Sequence, residues 1–102
     1  MSLKKKYLKS KPVCKVSFSL PKDAVKTAKE VAIVGDFNQW DTRANLMRKL
    51  KNGSFTSTLD LEAGKAYEFR YLIDGEQWEN DWLADDYVPT VYGNEENSVV
   101  AV

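Results

Sequence analysis

From Val13 to Leu20 apolar and polar positions alternate: Cys14, Val16, Phe18 and Leu20 point one way, Lys15, Ser17 and Ser19 the other. A period of two marks a strand buried on one face. Pro21 ends it, and Lys22 to Glu30 reads as a loop in preference to a helical turn. Glu30 to Gly35 (EVAIVG) is β-branched and nearly all apolar, which predicts a strand covered on both faces. The polar loop Asp36-Phe37-Asn38-Gln39-Trp40-Asp41 follows. A short strand around Leu46 to Leu50 then meets Asn52-Gly53, a strong hairpin signal, and Ser54 to Leu61 returns with Phe55, Leu59 and Leu61 on one face.

After the turn Glu62-Ala63-Gly64-Lys65, the odd positions Tyr67, Phe69, Tyr71 and Ile73 form an apolar face, and Glu68, Arg70 and Leu72 form the other. Asp74-Gly75 turns the chain toward Trp78, and two registers are open. A two-residue turn sets Tyr71 opposite Trp78 and puts the indole on the buried face; a three-residue loop, Asp74-Gly75-Glu76, sets Leu72 opposite Trp78 and places it beside Arg70. A long irregular stretch, Asn80 to Asn97, precedes a last strand from Ser98 to Val102. Six or seven short strands joined by turns predict an all-β, immunoglobulin-like antiparallel β-sandwich, with Val16, Phe18, Ile33, Phe55, Tyr67 and Phe69 mostly inside.

The length of 102 residues fits one domain with a workable core. Net charge is zero, but residues 1 to 30 hold nine Lys against Asp23 and Glu30, so the basic leader balances an acidic body. Residues 1–12 are expected as a solvated basic leader and 13–102 as the sandwich. An acidic body repels a phosphate backbone, so no nucleic-acid partner is expected. Cys14 is the only cysteine, which excludes an intrachain disulfide and a cysteine-based zinc site. With no apolar segment of signal or membrane-span length, no membrane association and a cytoplasmic location are expected. Asn52-Gly53-Ser54 matches a glycosylation sequon but reads as turn chemistry.

Histidine is absent, which removes His-assisted nucleophilic catalysis. Asp81, Asp85, Asp86, Glu95 and Glu96 offer carboxylates for glycoside hydrolysis or calcium, but no cleft and no calcium-loop motif accompany them. Neither a catalytic residue nor a metal or other cofactor is therefore expected. The unusual feature is aromatic: Trp40, Trp78, Trp82, Tyr87 and Tyr92 all fall in or beside loops. A sugar ring has a C–H face and a rim of hydroxyls, so indole against the face and polar side chains on the rim are the groups that hold it.

The strings VAIVGDFNQWD, NGSFTSTLDLEAGKAYEFRYLIDG with QW shortly after, and YGNEENSVVAV resemble the glycogen-binding domain of AMP-activated protein kinase beta subunits. They are also similar to the early-set domains of branching enzymes and isoamylases, that is, to family-48 carbohydrate-binding modules. The likeness runs from about Val31 to Val102, with Val13 to Leu20 as the family's first strand. It implies that Trp40 and Trp78 clamp a glucan, with Arg70 where kinase-type domains usually carry Lys, and Asn97 as the polar residue before the last strand. It places Tyr92 where an apolar side chain enters the sugar ring and Asn94 where a hydroxyl residue stands. The hairpin turn is one residue longer than in the family, which agrees with the three-residue loop.

The resemblance implies non-catalytic binding of glycogen, starch or malto-oligosaccharide. The alternative is a docking module for a separately encoded α-glucan enzyme, its aromatics then forming an interface. Read as a whole protein from Met1, the chain is expected to act alone, as a weak homo-oligomer, or with such an enzyme.

Overall fold

The computed structural model describes residues 2–90 and 95–102. In chain order its elements are β1 (Ser2–Tyr7), β2 (Val13–Leu20), a one-turn helix α1 (Lys22–Val25), β3 (Val31–Gly35), β4 (Arg48–Lys49), β5 (Phe55–Glu62), β6 (Ala66–Ile73), β7 (Gln77–Glu79), β8 (Asp86–Pro89) and β9 (Glu96–Ala101). One sheet has the order β1-β2-β5-β4 and the other β3-β6-β9-β8, with β7 pairing with β6 beyond the end of β9. Every pairing is antiparallel, and the two sheets face each other as a sandwich of the immunoglobulin-like, early-set kind.

The alternation read from the sequence sets what lies between the sheets. Val16, Phe18, Leu20, Phe55 and Leu61 come from one sheet, and Ile33, Phe69, Tyr71 and Val100 from the other, all buried. Phe18 meets Phe69 edge-on at 5.2 Å between ring centroids, and Phe69 meets Tyr71 at 5.6 Å, the geometry that places a ring's positive edge on its neighbour's negative face. Tyr67, expected inside, is only half-buried, and its hydroxyl donates to the Glu62 carbonyl. Among the described residues no helix is long and apolar enough to cross a membrane.

Three segments differ from their sequence reading. The loop expected at 22–30 contains a single helical turn. Within the expected solvated basic leader, Ser2–Tyr7 form edge strand β1, in register from Ser2↔Ser19 to Tyr7↔Cys14, with Leu3 packed on the core. The stretch after Asn80 holds β8, with Val88 opposite Asn97; its Pro89 lacks an N–H, which an edge strand tolerates.

An ion pair ties the edge of one sheet to the edge of the other: the Lys5 ammonium donates to Asp85 Oδ2 at 2.6 Å, and the Ala101 N–H donates to the same oxygen at 2.8 Å. Burial alone raises the Asp85 pKa, but the Lys5 hydrogen bond, the Ala101 N–H and the Lys5 charge outweigh it, so the carboxyl sits below its ordinary value. Because the shift is downward on folding, its stabilisation is present above the unfolded carboxylate pKa of about 4 and is lost as pH falls through the lower folded value. Lys5→Ala is therefore expected to lower stability at neutral pH by about 0.5–1 kcal/mol and to match wild type once pH falls below the Asp85 titration, as urea unfolding of the two proteins between pH 7 and pH 3, followed by circular dichroism, will read.

Candidate functional site

The outward face of the β3–β6 sheet carries the side chains that alternation turns away from the core. Ala32, Val34 and Leu72 form a small apolar floor there, and Trp40 packs against it. Trp40 reaches this place because β3 runs directly into a tight loop. A Cβ on Gly35 would lie 2.5 Å from the Glu68 carbonyl oxygen and 2.7 Å from Phe69 Cβ, so only glycine lets the chain pass so close to β6. Asn38 then fastens the loop: its Oδ1 accepts the Gly35 N–H at 3.0 Å, and its Nδ2 donates to the Ile33 carbonyl at 3.1 Å and to Asn45 Oδ1 at 2.8 Å. Gln39 (φ 55°) and Trp40 (φ 57°) follow in the left-handed region, which is unfavourable for L-residues by about 1–2 kcal/mol each. That strain is held at the point where the indole is presented.

The indole itself is oriented by Asp36. Trp40 Nε1 donates to Asp36 Oδ1 at 2.9 Å, and the Glu68 N–H donates to Asp36 Oδ2 at 2.8 Å, so one carboxyl bridges Trp40 to the backbone of β6. Trp40 is partly covered by the floor on which it packs.

Trp78 lies opposite Leu72, Gln77 opposite Ile73 and Glu79 opposite Tyr71, so the connection is the three-residue loop Asp74-Gly75-Glu76. Asp74 (φ 52°) and Gly75 (φ 70°) make the turn, and Asp74 Oδ1 accepts the Lys29 and Glu30 N–H groups, which anchors the hairpin to the start of β3. Trp78 is 41% exposed and shares the outward face with Arg70, whose guanidinium carbon sits 5.1 Å from the indole centroid. Glu30, Ala32, Thr42, Arg43, Leu72, Gly75 and Trp78 line a shallow trough. Trp78 lines this trough, and Trp40 packs on the Ala32, Val34 and Leu72 cluster, which shares Ala32 and Leu72 with it.

At the other side of Arg70 lie Glu68 and Asn97. Asn97, expected just before the last strand, is in β9 and buried, and its Nδ2 donates to Glu68 Oε1 at 3.0 Å. Arg70 reaches Glu95 Oε2 at 3.4 Å. Two buried polar atoms here have no hydrogen-bond partner among the described residues: Arg70 Nε and Asn97 Oδ1. Tyr92 and Asn94 lie outside the described residues.

Sequence reasoning missed Asp36, Glu68, Thr42 and Arg43. Glu68 was legible, since it shares the even-numbered face of β6 with Arg70 and Leu72. Asp36 carried only the weak signal of an acid four residues before a tryptophan. The acidic loop also contains a surprise: Asp81, a candidate surface carboxylate, is fully buried. Its Oδ2 accepts the Tyr71 hydroxyl at 2.7 Å and its Oδ1 the Leu83 N–H at 2.8 Å.

A two-sheet sandwich bearing an aromatic-bordered trough beside hydrogen-bonding side chains is the architecture of a carbohydrate-binding module. A family model for the glycogen recognition site of AMP-activated protein kinase matches residues 25–102, and the chain belongs to that family of carbohydrate-binding modules, family 48. Membership supports non-catalytic glycogen binding. No curated protein matches the chain significantly.

Proposed function

We propose that the face built from Trp40, Leu72, Trp78, Arg70 and Asn97 holds an α-1,4-linked glucan without transforming it. The observation that carries this reading is a trough with Ala32, Leu72 and Trp78 among its lining, beside which Arg70 stacks on the Trp78 indole and Arg70 Nε and Asn97 Oδ1 have no hydrogen-bond partner among the described residues. One is a donor and the other an acceptor, and both are closed to solvent in the free protein, so a sugar hydroxyl serves them as the Arg70 and Asn97 side chains shift on binding. The indoles supply the surface for the C–H face of the ring. Arg70 covers part of Trp78 and holds it upright, so it acts as a hydroxyl partner and as a support. Catalysis would need two carboxyls facing each other across a bound sugar. Asp81 is instead spent on internal hydrogen bonds and Asp85 on Lys5.

The test is glycogen co-sedimentation together with maltoheptaose titration, comparing wild type with Arg70→Ala. A neutral ligand gives binding that changes little between low and moderate salt, with a Kd for the oligosaccharide of about 10 μM to 1 mM, roughly −7 to −4 kcal/mol. Arg70→Ala is expected to weaken it about tenfold, the loss of a charge-assisted hydrogen bond. Retention of a folded wild-type protein at the level of a non-binding control would end this reading and leave the aromatic face as a docking surface for a protein partner.

A further inference from the structure

A second groove lies on the opposite side of the β6–β7 hairpin. Because Trp78 faces outward with Leu72, its neighbours Gln77 and Glu79 turn the other way, toward the end of the sandwich. There the residues around α1 approach the hairpin, and Val25, Ala28 and Ile73 contribute to the apolar floor of an open groove. Its walls are polar: Lys26 and Thr27 on the α1 side, Gln77 and Glu79 on β7. Trp82, 52% exposed, also lines it.

We infer that this groove is a second α-glucan site, used together with the Trp40–Trp78 face; the inference rests on the glucan-binding reading of that face. The chemistry repeats in kind but not in position. An indole surface stands beside an ammonium, a hydroxyl, an amide and a carboxyl, a mixture of donors and acceptors that suits a rim of hydroxyls, each able to give and to receive. Asp23 and Asp74 also line the groove, so with Glu79 the acids outnumber Lys26 and a phosphorylated or otherwise anionic ligand is disfavoured. A neutral polyhydroxylated chain meets no such penalty. The two sites lie on opposite faces of the β6–β7 hairpin, so a branched polymer can occupy both at once, and the second contact becomes intramolecular.

The experiment follows the three tryptophan indole N–H signals by NMR during maltoheptaose titration of the full chain. All three are expected to shift, and the Trp82 signal is expected to shift still in Trp78→Ala. In glycogen co-sedimentation, Trp82→Ala is expected to lower retention about tenfold while changing the first-site maltoheptaose Kd less than about twofold. The double variant Lys26→Ala, Gln77→Ala changes only exposed side chains and is expected to do the same, which keeps the test sound if Trp82→Ala unfolds. A Trp82 signal that stays still while Trp78 moves, or that stops moving in Trp78→Ala, overturns the second site and leaves the first intact. If no indole signal moves, the glucan reading itself has failed.

Discussion

Trp78→Ala is expected to weaken maltoheptaose binding about 30-fold, near 2 kcal/mol, while shifting the melting temperature by no more than about 3 °C. The large binding effect follows from the position of the indole at the wall of the trough, where it supplies stacking area and also holds Arg70 by its ring face. The small stability effect follows from its exposure, since Trp78 contributes no side chain to the core between the sheets. Trp40→Ala makes the contrast. It should lose comparable affinity, but it also uncovers Ala32, Val34 and Leu72 and leaves Asp36 without its indole donor, so it is expected to unfold several degrees lower. Calorimetric titration with a parallel melting curve separates the two variants. Wild-type affinity in a folded Trp78→Ala would move the binding site away from this face.

Asp81→Ala is expected to be the most damaging single change to stability discussed for this fold, at about 3 kcal/mol, or roughly 12–24 °C in melting temperature for a domain of this size. It strands two donors in the interior, the Tyr71 hydroxyl and the Leu83 N–H, and each such loss costs about 1–3 kcal/mol. The Asp81 N–H is itself held by Ser98 Oγ at 2.9 Å, and that hydroxyl donates to Asn80 Oδ1 at 2.8 Å, so the network fastens the segment after β7 to β9. Asp81→Asn keeps the shape and one acceptor and is expected to lose much less. Tyr71 gives a second reading of the same network. Burial, and then the nearby Asp81 charge, raise its phenol well above the usual tyrosine value. The unfolded chain therefore releases this proton first, and stability falls as pH rises past about 10. Tyr71→Phe should flatten that alkaline loss while costing stability at neutral pH. Urea unfolding of the three variants across pH checks the whole set, and an Asp81→Ala protein as stable as wild type would contradict it.

Much of this was legible from residue order because a half-buried strand writes its facing into a period of two. β2, β5 and β6 were readable for that reason, and the facing of Trp78 followed once the hairpin length was known. β3 was readable as a strand covered on both faces, although its outer cover is a tryptophan from its own loop and a leucine from β6, not another layer. β1 left no such trace. Lys4 and Lys6 face water on an edge, Lys5 pairs with Asp85, and only Leu3 packs on the core, so the local pattern is that of a solvated tail. β8 was hidden by Pro89 and its acidic neighbours. Asp81 was misread for a different reason: a buried carboxyl is defined by the donors that surround it, and those come from residues ten positions back in β6 and two positions ahead. Burial by partners distant in sequence has no period to find.

The family match begins at residue 25, yet the core draws Val16, Phe18 and Leu20 from β2, and β2 in turn has β1 along its outer edge. The segment related by descent and the unit that folds are therefore different lengths of chain. Cutting the protein at the start of the likeness would strip one sheet to β5 and β4 and bare a long row of unpaired backbone groups, the template on which neighbouring molecules associate. The lysines of β1 act in the reverse sense. With Lys5 paired to Asp85, Lys4 and Lys6 keep a positive charge along the outermost strand that discourages a second copy from adding its own strand there, so this charge is colloidal protection placed where an open sheet is most exposed.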